Sequence, residues 1–349
     1  MLKFQLKIQF KNIFKIQLKK TIAILIAALF PVTTYACTIF TLNHNGGHYI
    51  ARSFDWDYGD GVVLVNPRGM NKGSLLFDEE LTPIKWVSKY GSVTLNQAAD
   101  EFPMSGMNEA GLTIDVLVLS KSKFPKKFIK PVLNEVQWIQ FLLDTAATVD
   151  EAQAQAEKVQ ISPFAEKVHY MICDAGSNCA VFEYLDGAMV VSRYTRDQKQ
   201  IIANDKFSET IDYNKMTARP KAAYDHLNTE VGTTAPVEYM LNGLEKVHLS
   251  STQWQMVYSV NDRTISFRNR NQNRTMKIID LKKMNFECKV SKTYIDIHSQ
   301  EPGDISGLLS IYPRSRNDEL LRQVLPMPDQ LMPIVNNFYG TLGCAIPSI

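Results

Sequence analysis

Of the five cysteines in the 349-residue chain, Cys37 has the surroundings that suggest chemistry. It follows Thr34-Tyr35-Ala36, with small residues at the third and first places before it, as signal peptidase requires. Cleavage after Ala36 would leave Cys37 with a free α-amine. A thiol attacks a carbonyl well only as thiolate, and its free pKa is about 8.5. An α-amine with a pKa of about 7.7–8.0 can take that proton near neutral pH. One residue would then hold nucleophile and base at fixed covalent distance. Fifteen or so residues on, Ala51-Arg52-Ser53-Phe54-Asp55-Trp56 supplies two charges. Arg52 beside the sulfur would favour the thiolate, and Asp55 could accept a hydrogen bond from the terminal amine. On a regular strand these two would face opposite sides, so a break in alternation near Asp55 is expected. Taken alone, the segment also reads as an exposed strand with alternating charges.

The stretch before Cys37 reads as an export signal. Lys3, Lys7, Lys11, Lys15, Lys19 and Lys20 carry no acid among them. Thr21 to Phe30 is an apolar run too short for a comfortable membrane span, and Pro31 breaks it. The domain plan is therefore residues 1–36 as signal peptide and 37–349 as the working domain, exported to the periplasm or secreted. No stable membrane anchor is expected once the signal is gone. Two alternatives involve the membrane. One is an uncleaved anchor. The other is a lipoprotein with lipid on Cys37 and a binding role, against which Thr34 argues, because lipoproteins favour Leu there. The net charge of +2 becomes slightly acidic without the first twenty residues, so no nucleic-acid partner is suggested. Cys173, Cys179, Cys288 and Cys344 are an even set for an oxidising compartment. Cys173 and Cys179 flank a turn-forming Asp174-Ala175-Gly176-Ser177-Asn178 run, which suits a bridge across a hairpin, and Cys288 with Cys344 is the pair that remains. No CxxC or zinc-type spacing occurs and the six histidines are scattered, so neither a metal nor a cofactor is expected.

The elements that must position Cys37 are mostly strands. Thr38 to Leu42, Tyr49 to Phe54 and Val62 to Val65 are β-branched or aromatic runs separated by Asn-Gly-Gly and Gly-Asp-Gly turns. Trp86 to Thr94 and Leu112 to Leu119 read as two more. A helix follows Asn134, with Gln137 in the capping-box position, and Thr148 with Glu151 opens a second that ends near Val159. A hairpin runs from Val168 to Tyr194, and a helix from Pro236 to Val247 carries proline in its first turn. Gln253 to Val260, Arg263 to Phe267 and Met276 to Leu281 return to strand pattern. A last helix near Asp318 to Val324 ends at Pro326. Strands, helices, strands, helices is the order of an α+β layered domain, met by two antiparallel sheets face to face with helices outside.

Cys37-Thr38, Ala51 to Trp56 and Leu64-Val65-Asn66-Pro67-Arg68-Gly69-Met70 resemble the choloylglycine hydrolase family. Trp86 to Val93, Met107 to Leu112, Ile201 to Asp205 and Ser251 to Trp254 extend the resemblance. It implies a four-layer αββα sandwich of the N-terminal-nucleophile type. It also implies hydrolysis of a small-molecule N-acyl amide through a thioester on Cys37, without cofactor. The family contains penicillin V acylases and conjugated bile acid hydrolases. The chain is nearer the exported penicillin V acylase-like branch of Gram-negative bacteria, some of which act on acyl-homoserine lactones; a bile acid hydrolase is the alternative. Carried over, Cys37 is the nucleophile, Arg52 and Asp55 order it, and Asn204 is the side-chain donor of the oxyanion hole. Val118 falls nearest the second donor's place, with its backbone N–H but no polar side chain. Arg219 is the nearest match to a downstream site arginine. Trp56, Trp86 and Tyr90 are expected around an acyl pocket. The segment from Asn204 to Arg219 lacks the long loop that bile-acid enzymes use in assembly, so a homo-oligomer is possible but the usual tetramer is not implied.

Overall fold

The computed structural model describes residues 37–345, apart from 98, 195–197, 271–274, 290 and 326–327. The expected export segment and Pro326 lie outside the described residues. Two large sheets face each other. One has seven strands in the order Ile201–Ile202, Thr38–His44, Gly47–Asp55, Thr252–Ser259, Thr264–Asn269, Lys277–Asp280 and Gly303–Asp304. The other has nine, from Ala188–Arg193 through Cys179–Leu185, Val168–Cys173, Thr113–Val118, Pro103–Asn108, Ser92–Asn96 and Val62–Asn66 to Thr293–Asp296 and Ser310–Ile311.

The period-two pattern divides the side chains between layers. In the strand pair at the start, Ile39 opposes Arg52 and Thr38 opposes Ser53. Cys37, Ile39, Ile50 and Phe54 therefore face the second sheet, where they pack with Val93, Leu117, Met171 and Val181. Phe40 and Ala51 face outward onto Leu241 and Leu244 of the Pro236–Lys246 helix and Ala223 of the Ala218–Leu227 helix. On the far side, Ile114, Tyr170 and Phe182 pack against the Gln137–Thr145 and Val149–Ala156 helices. Three apolar layers thus separate four structural ones, and the architecture is the αββα sandwich. Among the described residues, no helix is long and apolar enough to cross a membrane.

Local chemistry explains several boundaries. Asn45 and Gly46 both have positive φ, 50° and 77°, the two-residue turn that suits the twist of the first hairpin. Asn134 Oδ1 accepts from the Val136 and Gln137 N–H groups, and Thr148 Oγ1 from the Glu151 N–H, so both expected helix starts are capped. Cys173 with Cys179 and Cys288 with Cys344 form disulfides.

Four expectations need correction. The single strand from Trp86 to Thr94 is two, Lys85–Val87 and Ser92–Asn96, in different sheets. Between them, Lys89 and Tyr90 give their N–H groups to the Asp144 carbonyl, which redirects the chain. The Pro103–Asn108 strand had no β signature, since proline opens it and Gly106 sits inside it. The helix expected from Asp318 begins earlier, at Arg314. The Ala218–Leu227 and Pro328–Gly340 helices were not anticipated, and each contains a proline.

Gly106 shows why that unlikely strand is needed. A Cβ there would lie 2.7 Å from Thr94 Cγ2 and 2.9 Å from both Leu143 Cδ1 and the Val93 carbonyl. The bare backbone lets the Gln137–Thr145 helix settle on the sheet. Gly106→Val should therefore lower stability by about 1–3 kcal/mol, the usual cost of overpacking. Urea unfolding checks this, and an unchanged midpoint would mean the helix can move away freely.

Candidate active site

Cys37 is buried at the start of the first strand and forms part of a cavity wall. Its register neighbours place Arg52 on the same inner face, fully buried. The guanidinium crosses to the nine-stranded sheet. It donates to the Met104 carbonyl, to the Val116 carbonyl at 2.8 Å, and to Asp115 Oδ1 at 3.0 Å. The Tyr258 hydroxyl donates to the same carboxylate oxygen at 3.1 Å. Burial pushes the Asp115 carboxyl up to about 6, against the opposing pull of Arg52 and of that hydroxyl.

Asp55 approaches Cys37 from the other face of the strand. The expected break in alternation lies instead in the neighbouring strand, where the register shifts between Thr252 and Trp254. Asp55 stays in phase with Ser53, whose hydroxyl donates to Oδ1 at 2.8 Å, and the Thr252 hydroxyl donates to the same oxygen. Arg219, from the first turn of its helix, brings Nη2 within 2.7 Å of Asp55 Oδ2 and donates to the Val247 carbonyl. Cys37 therefore lies between two ion pairs, Arg52–Asp115 on the cavity side and Asp55–Arg219 on the helix side. Burial pushes its thiol above the ordinary range. Arg52 pulls it down most strongly, the Asp55 carboxylate pushes it up, and the Asp55 backbone N–H and Arg219 pull it down.

Asn204 lies just beyond the Ile201–Ile202 strand, and its Nδ2 donates to the Val118 carbonyl at 2.7 Å. Leu119 N–H bonds the Lys167 carbonyl, so the alternation of the antiparallel ladder turns both backbone groups of Val118 away from that neighbour. They point to the side on which Arg52 and Asn204 lie.

The cavity has a volume of about 140 Å³, and its wall is mainly apolar. Phe54, Trp56, Phe77, Phe102 and Phe164 line it, as do Leu321, Val324 and Leu325 near the C-terminus. No Lys, Arg or His occurs among its described lining residues, and the acids are Glu135 and Glu166. Glu135 is buried, with its carboxylate held by the N–H groups of Phe164, Ala165 and Glu166. Trp56 is where the sequence suggested. Trp86 and Tyr90 are not in this wall. Trp86 donates to Asp144 Oδ2 at 2.8 Å and packs on Phe141, and Tyr90 lies half-exposed under the Lys89 ammonium.

The structure thus gathers Cys37, Arg52, Asp55 and Arg219, with Val118 and Asn204 bonded to each other nearby. Sequence reasoning missed Asp115, Thr252 and Ser53. A signal for Asp115 was present, since an acid inside the apolar run Leu112 to Leu119 needs a buried partner.

A sequence profile described as linear amide C–N hydrolases, choloylglycine hydrolase family, matches residues 37–225, more than half of the chain. The penicillin V acylase of Pectobacterium atrosepticum is 29% identical over 199 residues, 51% of this chain and 52% of that protein. The chain thus spans about half the length of this curated relative. The solved structure of penicillin V acylase from Agrobacterium tumefaciens matches with a TM-score of 0.69 and 26% identity, covering 79% of this chain and 98% of that one. A conjugated bile acid hydrolase of Clostridium perfringens shares the fold, with a TM-score of 0.62 at 13% identity over 76% of this chain and 98% of that one.

Asp115→Asn should destabilise the protein by about 3–5 kcal/mol, because it leaves the Arg52 guanidinium buried without its counter-charge. Denaturant unfolding measures the loss. A change below about 0.5 kcal/mol, the range of ordinary surface substitutions, would mean that Arg52 does not depend on Asp115.

Proposed function

The chain belongs to the choloylglycine hydrolase family of linear amide C–N hydrolases, and from that premise we propose that it cleaves N-acyl amides with an apolar acyl group through a thioester on Cys37. The observation that carries this reading is the place of Cys37, in the wall of an apolar cavity and between a buried arginine and an aspartate–arginine pair. The working form begins at Cys37 after residues 1–36 are removed on export to the periplasm or beyond. Its α-amine takes the thiol proton, with Asp55 as acceptor for an amine N–H. Arg52 supplies a fixed positive charge to the thiolate. The sulfur adds to the amide carbonyl, and the negative oxygen meets the Asn204 Nδ2–H group and the Val118 N–H. One amide hydrogen of Asn204 is spent on the Val118 carbonyl, and Nδ2 carries a second. When the tetrahedral intermediate collapses, the C–N bond breaks and the α-ammonium gives its proton to the departing amine. Water then attacks the thioester by the same proton route and releases the carboxylic acid and the thiol.

The cavity wall bears on the substrate. Aromatic and aliphatic side chains without a cation favour an uncharged apolar acyl group over an anionic one. Penicillin V and acyl-homoserine lactones offer such groups.

Three measurements test the reading. A mass spectrum of the exported protein should show Cys37 as the first residue with a free amine. Retained Ala36 on a fully active enzyme, or lipid on Cys37, contradicts it, because an acylated nitrogen cannot accept the proton. Penicillin V, a glycine-conjugated bile acid and a long-chain acyl-homoserine lactone assayed side by side should show cleavage of penicillin V or of the acyl-homoserine lactone, and turnover of none of the three would contradict the reading. Asn204→Ala should lower kcat by about 10²–10³ with little change in KM, while alkylation of Cys37 proceeds at the wild-type rate. Full kcat with only a lower melting temperature would make Asn204 a turn residue.

A further inference from the structure

His169 and Glu183 are buried polar residues in the core between the sheets, outside the machinery described above. They lie on neighbouring antiparallel strands, where Tyr170 pairs with Phe182. The next pair along that register is His169 with Glu183. Met171 and Val181, two residues away on each strand, face the inter-sheet core, so His169 and Glu183 face it too. Both reach the loop that follows the Ile201–Ile202 strand of the opposite sheet. His169 Nε2 lies 2.8 Å from the Ala203 carbonyl. A carbonyl only accepts, so Nε2 carries the proton. Glu183 Oε1 accepts from the Phe207 N–H at 3.0 Å and lies 3.6 Å from His169 Nδ1.

Asn204 sits between these two anchors. From the opposite sheet, the loop is gripped one residue before it, by His169, and three residues after it, by Glu183. A short loop has no sheet ladder to fix it, so the direction of the Asn204 amide depends on its attachments. We infer that His169 and Glu183 form a positioning pair that aims the Asn204 side chain at the reacting carbonyl oxygen. The inference rests on the oxyanion role proposed for Asn204. Neither residue touches substrate. The pair holds the carbonyl before the donor and the N–H after it, so that Nδ2 stays aligned with Val118. Donors of this kind act only when fixed before the charge develops, and a small misplacement is expensive in rate.

A double-mutant cycle on kcat tests the pair, with Cys37 alkylation as the check that the rest of the site is intact. His169→Leu removes the donor at similar bulk and should lower kcat by about 10–100-fold with KM within about two-fold, the pattern of a displaced transition-state contact. His169→Gln keeps an N–H donor and should recover most of that loss. Glu183→Gln keeps an acceptor for the Phe207 N–H and should cost less than Glu183→Ala. In an Asn204→Ala background, His169→Leu should have almost no further effect on kcat, since the residue it positions is gone. Independent, additive losses would overturn the inference, as would a His169→Leu enzyme with wild-type kcat. A parallel fall in alkylation rate would also overturn it, because His169 would then be holding the whole site. If Asn204→Ala alone leaves kcat intact, the oxyanion reading fails and this inference with it. If Asn204→Ala is crippled and His169→Leu is not, only the positioning pair is wrong.

Discussion

A guanidinium with no exposure to water must find its partners inside the protein, and the oxygens to which Arg52 donates lie on the opposite sheet. Asp115 supplies the charge, and the carbonyls of Met104 and Val116 supply the remaining acceptors. The register that brings Arg52 to this point also brings Cys37, because both lie on the inner face of the first hairpin. A slip of one residue in the Gly47–Asp55 strand would turn Arg52 outward, away from Cys37, and leave Asp115 buried with Tyr258 alone. The separation of the sheets, the location of the thiol and the positive charge beside it are therefore set together. A buried ion pair is weak evidence for stability, since desolvation offsets much of the attraction. Its retention between two apolar sheets fits a requirement for charge at that place.

Much of this was legible in the sequence where alternation was regular. The strands from Thr38 to Leu42, Tyr49 to Phe54 and Gln253 to Val260 showed inward and outward sets, and Asn45-Gly46 marked their turn. The capping residues Asn134 and Thr148 marked helix starts because their oxygens satisfy free N–H groups. Legibility failed where tertiary packing overrode local preference. Pro103–Asn108 is a strand because both its neighbours need a partner and only Gly106 leaves room for a helix above it. Trp86 and Tyr90 looked like pocket aromatics, yet Asp144 draws the Trp86 indole away and the chain turns between sheets at Tyr90. Asp55 was expected to need an irregular strand. It needs none, because an arginine from an unanticipated helix meets it on the outer face. Arg219 and Asp115 lie far along the chain from the residues they serve, so spacing does not pair them: Arg219 was named only through the family resemblance, and Asp115 stood out only as an acid within an apolar run.

The cavity has two origins in the chain. Cys37, Phe54, Trp56 and the Val116 to Val118 segment fall within the region that matches the family. Leu321, Val324 and Leu325 come from the Arg314–Val324 helix and its end, well beyond that region. That helix packs with the Pro328–Gly340 helix against Leu75 and Phe102. The Cys288–Cys344 disulfide and the pairing of Gly343–Cys344 with Met70–Gly73 fasten the end of this unit to the body. Most of the cavity wall thus lies in the same region as Cys37 and the charges around it, and the C-terminal helix closes one further side.

The central claim is that the amide's acyl group passes onto the Cys37 sulfur. Acid quenching of the mature enzyme during turnover of a slowly cleaved N-acyl amide, followed by intact and peptide mass analysis, tests it directly. The account predicts an added acyl mass on the Cys37 peptide that hydroxylamine removes, and none on a Cys37→Ala protein. An acyl adduct on another residue, or full turnover by Cys37→Ala, would contradict it.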